Sequence, residues 1–383
     1  FIMPCAGQRH TLLLKTDGTV AACGDNSEGQ CNIPVSSGGL TYTQLAAGGE
    51  HTVLLRSDGL AVSCGSDVYG QCDLPSLPEG LTYSQVTAGE SHTVLLRSNG
   101  SAVACGNDVA GQCKLPILKD GHAYTQVAAG GAHTVLLRSD GEALACGNNT
   151  DGQCNIPALE GGLVYIQVAA GWSHTVLLRS NGTAVACGLD VFGQCRIPAL
   201  EDGVSYTQAA AGGSHTILLR SDGKAVACGD DCIGQCSLPP LAEGSTYKQV
   251  AAGGYDVQSH TILLRSDGKA VACGDNLFGQ CNLASMRSWA DVFARREPRF
   301  VTNPTIITIL QAFFDGSFLK FFLLSGAEVC RIKATASDHL AEIYGNLARA
   351  LEGQYSHFDV VMPGGAVLSV LLSQNKSAIL QTL

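Results

Sequence analysis

Apolar and polar positions along this chain recur with a period of 41 residues. Seven copies begin at Phe1, Tyr42, Tyr83, Tyr124, Tyr165, Tyr206 and Tyr247, and only the seventh departs in length, by four residues. In the second copy, TQLAAG alternates weakly and ends on glycine. HTVLLRS then puts Val53 and Leu55 on one side and Leu54 and Arg56 on the other, and LAVSCG follows Asp58-Gly59. A period of two marks a strand, and Asp-Gly or Asn-Gly between apolar runs marks a hairpin. Gly65 and Gly70 bracket a turn, Gln71 to Leu74 reads as a short fourth strand, and Pro75 stops it because proline brings no N–H to a ladder. No helical period appears in the array. Each unit is therefore expected to be a four-stranded sheet too small to bury its own apolar face. Seven of them predict an all-β, seven-bladed β-propeller over residues 1–283. An open solenoid would need polar caps, and Phe1 offers none.

The pattern changes after Leu283. Residues 284–310 read as a linker with a short helix over Ser288–Arg295 and breaks at Pro298 and Pro304. Residues 311–383 read as a small α+β domain. It has strands at Leu319–Leu324 and Glu328–Ala334 around Ser325-Gly326, and a helix over His339–Leu351 with Leu340, Ile343, Leu347 and Leu351 on one face. A strand at Phe358–Met362, a Pro363-Gly364-Gly365 turn and the start of another strand at Ala366–Leu368 complete it. The chain opens inside a repeat and is expected to be part of something longer.

Charge narrows the choice of partners. The array carries 25 acidic and 14 basic residues, whereas the remainder carries 8 and 9. An acidic propeller is a poor match for a phosphate backbone, so no nucleic-acid partner is expected. Thr305 to Gly326 is apolar, but Gln311, Asp315 and Lys320 interrupt it, and no membrane span is expected. Fourteen of the 17 cysteines fall on two repeat positions eight residues apart, such as Cys64 and Cys72. They fit buried thiols, seven bridges or, least well, zinc. Nothing directs the chain to an oxidising compartment, so free thiols and a cytoplasmic location, with the nucleus as the alternative, are favoured.

Seven histidines, His10, His51, His92, His133, His174, His215 and His260, open the second strand of every unit. Equivalent points on separate blades need not converge on a metal, so a structural role is expected, with a ring nitrogen bonded to the backbone of the glycine turn. The arginines before the hairpins, such as Arg56, are read the same way. No nucleophile elbow, phosphate loop or HExxH motif occurs, so no catalytic residue and no cofactor is assigned. Function is then expected where the copies differ. Trp172 enlarges the first loop of the fifth copy, and Tyr255, Asp256, Val257 and Gln258 expand that of the seventh. Tyr69, Phe192 and Phe278 are apolar for the turn before GQC. These residues either contact a partner or, in the plainer reading, fill local hollows and cover seams between blades.

The run GGxHTVLLRSDGxAVACGxNxxGQC, as at Gly130 to Cys154 and Gly212 to Cys236, resembles the RCC1 repeat family, with cysteine where tryptophan and leucine often stand. The resemblance implies a seven-bladed propeller and permits three roles. One is a protein-binding scaffold or adaptor, as in HERC-like proteins of the ubiquitin pathway. Another is a guanine-nucleotide exchange factor for a small GTPase, although the wedge and basic tail of the founder family are not evident. The third is a fragment of a ubiquitin ligase whose catalytic domain lies elsewhere. The tail, through LKFFLLSGAEVCRIKATASDHL and FDVVMPGG, resembles the ubiquitin-like grasp, truncated before a diglycine end. The favoured expectation is a monomeric propeller that binds other proteins.

Overall fold

In the computed structural model the described residues are 3–36, 38–118, 121–256 and 258–283, together with the backbone of six strands between 308 and 382. The chain divides into two compact units, Phe1–Arg295 and Arg296–Leu383.

Each repeat forms one three-stranded antiparallel sheet. In the second these strands are Tyr42–Ala47, His51–Arg56 and Ala61–Gly65. The first strand lies innermost, around the axis. The middle strand is buried on both faces, because each blade is sandwiched between two others. Val53 and Leu55 pack with Tyr83, Val86 and Leu95 of the third blade, while Leu54 joins Leu12, Leu14 and Tyr42 on the other side. The core is thus a set of seams between blades. The last seam joins Leu13 and Ala21 of the first blade to Ile262 of the seventh, which closes the ring.

The expected fourth strand does not form. Gln71 to Leu74 is turn and irregular chain whose polar groups are satisfied without a ladder. Gln71 Oε1 accepts from Tyr69 N at 2.8 Å, Asp67 Oδ1 accepts from Cys72 N at 2.8 Å, and the Gln71 carbonyl accepts from Thr93 Oγ1 of the next blade at 2.7 Å. Beyond this turn the segment crosses to the far end of the blade, where the Pro75 carbonyl accepts from the Tyr83 hydroxyl. A four-residue stretch between a glycine turn and a proline looks like a strand, but its donors and acceptors are already used by the turn and the next blade.

In the second unit six strands form one sheet in the order Glu328–Lys333, Phe318–Leu323, Thr308–Phe314, His357–Val361, Val367–Leu372, Ala378–Thr382. Thr308–Phe314 and His357–Val361 run parallel, and the other neighbours are antiparallel. The strand Thr308–Phe314 begins inside the stretch read as linker, so that boundary shifts. The helices read over 288–295 and 339–351 and the Ser325-Gly326 and Pro363-Gly364-Gly365 turns lie outside the described residues. Among the described residues no helix is long and apolar enough to cross a membrane.

Candidate protein-binding face

The histidines form a closed ring of bonds between blades. Each Nε2 reaches the threonine hydroxyl of the following blade at 2.8–3.0 Å: His10 to Thr52, His51 to Thr93, and so on to His260 with Thr11. The hydroxyls of Thr52, Thr93, Thr134, Thr175, Thr216 and Thr261 give their proton to a glutamine carbonyl, as Thr52 does to Gln30 O at 2.7 Å. A hydroxyl has one proton, so there Nε2 must be the donor to it, and Nδ1 is left without a proton. None of the seven Nδ1 atoms has a hydrogen-bond partner. Burial therefore pushes the pKa of His133 down to about 3, helped by His174 and His92, and that of His174 to about 4. The ring bond runs across the seam, where the sequence suggested a bond back to the local turn. The preceding glycine is required for space: a Cβ on Gly48 would lie 2.4 Å from His51 Cε1 and 2.5 Å from Gly89 O.

The sixteen cysteines among the described residues are all unbridged. The fourteen repeat cysteines are half-buried rather than sealed in the core, and their thiols act as donors. Cys72 Sγ lies 3.4 Å from Ser66 O, and Cys64 Sγ lies 3.7 Å from Gln30 O across a seam. Burial pushes the Cys64 thiol up to about 12, with a smaller contribution from Cys72 and Cys31. No group of three or more metal-ligating side chains is found among the described residues. Four of the repeat arginines, Arg56, Arg138, Arg220 and Arg265, pair with the aspartate two residues on, as Arg220 does with Asp222 at 2.8 Å.

With seams and thiols accounted for, the unlike positions stand out. In a three-stranded meander the first loop and the turn after the third strand lie at the same end, and Ser66 N donating to Glu50 O at 2.8 Å ties them together. All the singled-out aromatic residues thus occupy one face of the propeller. The Asp-Gly hairpins occupy the other.

Trp172 and Tyr255, two blades apart, meet on this face. Their ring centroids are 4.3 Å apart and the planes are at 88°, an edge-to-face pair. The four added residues do not make a free loop. They extend the inner hairpin of the seventh blade, with Gly254 opposite Ser259 and Tyr255 opposite Gln258. Asp256 takes the left-handed turn conformation with φ of 48°. The hairpin leans over the sixth blade, where a Cβ on Gly213 would lie 2.4 Å from Ser259 Oγ and 2.5 Å from Asp256 O. Trp172 in turn lies on Gly131 of the fourth blade and lines the mouth of the axial cavity, of about 200 Å³, with Glu90 and Gln8. Trp172 is half-buried, Tyr255 and Asp256 are exposed, Gln258 is half-buried, and Val257 lies outside the described residues.

The turns carry the rest of the face. Phe192, Ile233 and Phe278 are each 41% exposed, and Tyr69 is 55% exposed. Each of their backbone N–H groups is held by a glutamine side chain two residues on, which fixes the turn and turns the apolar side chain outward. Phe278 also covers a seam, with Arg9 of the first blade 4.8 Å above its ring. Nine of the fourteen strongly exposed large apolar side chains among the described residues are on this face, and six of those nine belong to blades five to seven. Ile233 was not singled out by sequence. The signal available was the dipeptide Cys232-Ile233 at a turn position that other copies fill with Ser-Glu or Thr-Asp.

Comparison with known proteins agrees with this architecture. The family model described as "Regulator of chromosome condensation (RCC1) repeat" matches residues 5–30, 42–71, 83–112, 124–153, 165–194, 206–235 and 247–280. The chain belongs to the RCC1 repeat family. Among solved structures it is similar to Prp20p of Saccharomyces cerevisiae, at 18% identity and a TM-score of 0.57 over 66% of this chain and 80% of that one. Human WBSCR16 is similar at 18% identity and a TM-score of 0.58, over 68% and 86%. The CRINKLY WD40 ectodomain of the Arabidopsis thaliana receptor kinase ACR4 gives 18% and 0.55, over 71% and 94%. No curated protein matches the chain in sequence.

Proposed function

We propose that this propeller is a protein-binding scaffold that works through the face carrying Trp172, Tyr255, Phe192, Ile233 and Phe278. The observation that carries the reading is the gathering of exposed apolar side chains on three consecutive blades, in a ring whose seams are otherwise nearly identical. Large apolar groups held outward by a rigid turn gain when a partner excludes water from them. Prp20p, similar in fold, has been described with its binding properties to Gsp1p and histones, which fits a family whose propellers meet other proteins. An exchange-factor role for a small GTPase is the second reading. Against it, the only insertion in the array is folded down onto Gly213 and Trp172 and does not project as a wedge. Placement in a HERC-like ubiquitin-pathway protein, or in a fragment of a ligase, rests on the resemblance of the repeats and of the tail alone.

A photo-crosslinking amino acid placed singly at Phe192, Ile233 or Phe278, and at Leu60 or Ile117 on the opposite face, tests the scaffold reading in source cells. Discrete protein adducts from the first three positions alone are expected. Adducts from both faces alike, or from the opposite face only, would overturn it.

A further inference from the structure

The charges of the array are sorted between the two faces. Taking the first loops and the turns after the third strands together, the apolar-bearing end holds thirteen carboxylates and three cations, Arg9, Lys114 and Arg196. The rest of the array holds twelve carboxylates and eleven cations. Nearly all of the propeller's net negative charge therefore belongs to the face that also bears the apolar residues. Two of the three cations are already committed: Arg196 pairs with Asp190 at 3.2 Å and Lys114 lies 3.9 Å from Asp108. Arg9 sits over Phe278.

The carboxylates interleave with the apolar arc. Between Phe192 and Ile233 come Asp230 and Asp231, and Leu277 and Phe278 follow Asp275. Asp275 is buried, and its Oδ2 has no hydrogen-bond partner among the described residues. Toward the axis, Glu90 lines the cavity mouth with Trp172. Its carboxyl is pushed above the usual range by burial and then by Glu50 of the neighbouring blade, so two like charges face one another there. The arc is bracketed by polar turns, Ser27-Glu28 on the first blade and Thr150-Asp151 on the fourth.

We infer that the apolar arc of blades five to seven, with the acidic mouth beside it, takes a lysine- and arginine-rich protein segment that also carries apolar anchors. The inference rests on the scaffold reading and names the chemistry of the partner. Apolar anchors cover Phe192, Ile233 and Phe278. A long basic side chain enters the mouth with its stem along Trp172 and its charge at Glu50 and Glu90, a division that lysine and arginine allow because stem and head differ in polarity. An acidic or neutral segment would bring no relief to this field, and an acidic one would be repelled. A phosphate backbone carries the same sign as this face and would be repelled by it.

The test is selection of a random dodecapeptide display library against the full chain. Enriched peptides are then synthesised with a fluorophore and measured by anisotropy. Two variant proteins are compared: Phe192→Ser/Ile233→Ser/Phe278→Ser and Glu50→Gln/Glu90→Gln. All five residues lie in loops or turns, and circular dichroism confirms that each variant remains folded. Enriched peptides should carry net positive charge with leucine, phenylalanine or tryptophan. The wild-type affinity should fall at least about tenfold in each variant and also fall as salt rises from 0.1 to 1 M, where the screening length drops from about 10 Å to about 3 Å. Peptides that need the face but carry no net positive charge would overturn this inference and leave the scaffold reading standing. Peptides indifferent to both variants would overturn it as well, and the crosslinking pattern then decides the scaffold reading separately. Self-association of the chain through this face, seen by sedimentation velocity and lost in the serine variant, would replace the basic segment with a second copy.

Discussion

Acidification should unfold this propeller well above the pH at which carboxylates titrate. The seven repeat histidines are fully buried, and each is neutral with Nδ1 unpaired. Their folded pKa values are lowered from 6.5 to about 3 for His10, His51, His133 and His215, and to about 4 for His92, His174 and His260. A lowered folded pKa means that the unfolded chain binds protons first as pH falls. Stability is therefore fully present above about pH 6.5 and is lost between there and about pH 3 to 4. At pH 5.5 each histidine would destabilise the fold by about 1.4 kcal/mol, and the seven together by about 10 kcal/mol. That is comparable with the whole stability of an ordinary domain, about 5–15 kcal/mol. Unfolding is thus expected near pH 5 to 5.5, while most carboxylates are still ionised. Urea titrations followed by far-ultraviolet circular dichroism, at half-unit steps from pH 7.5 to 5, give the slope of stability against pH. In the lower part of that range the slope should correspond to uptake of several protons and approach seven. A slope of fewer than two protons, or unchanged stability at pH 5, would refute the assignment of seven neutral buried rings.

Four further outcomes follow from the same geometry. Thr175→Val leaves the Nε2–H of His133 without a partner and the carbonyl of Gln153 with only the Cys187 thiol at 3.7 Å, so urea denaturation should show a loss of about 1–3 kcal/mol. Gly130→Ala, whose Cβ would lie 2.4 Å from both the His133 ring and Gly171 O, should cost more than about 3 kcal/mol or prevent folding, whereas Ser98→Ala in an exposed hairpin should change the melting temperature little. A double-mutant cycle between Trp172→Ala and Tyr255→Ala should give a coupling of about 0.5–1.5 kcal/mol, and a value near zero would mean that the rings do not pair in solution. Thiol labelling of the native protein should modify Cys232, the exposed cysteine, faster than Cys64 or Cys146, whose pKa values are pushed up to about 12 mainly by burial, and labelling after denaturation should find no disulfide.

Much of this protein is written locally. The Asp58-Gly59 turn, the alternation through His51–Arg56 and the 41-residue repeat each depend on a few adjacent residues, so the strand pairs and the number of blades could be read directly. The two symmetry-breaking residues could be found for the same reason: a difference between copies is visible without coordinates. What the sequence did not contain was the meeting of elements far apart along it. The fourth strand failed because the donors and acceptors of Gln71 and Cys72 are taken by Asp67 and by Thr93, one of them in another blade. The histidine ring could be counted but not connected, since each bond spans about one repeat and the last joins His260 to Thr11. Trp172 and Tyr255 could be placed on one rim two blades apart, but only the packing of blades five to seven brings their rings within 4.3 Å. The sorting of charge follows from which ends of the strands share a face, a property of the meander rather than of any one repeat. Composition set the net charge and period set the blades, but which unlike residues share a face was decided by tertiary structure, because only packing determines which loops become neighbours.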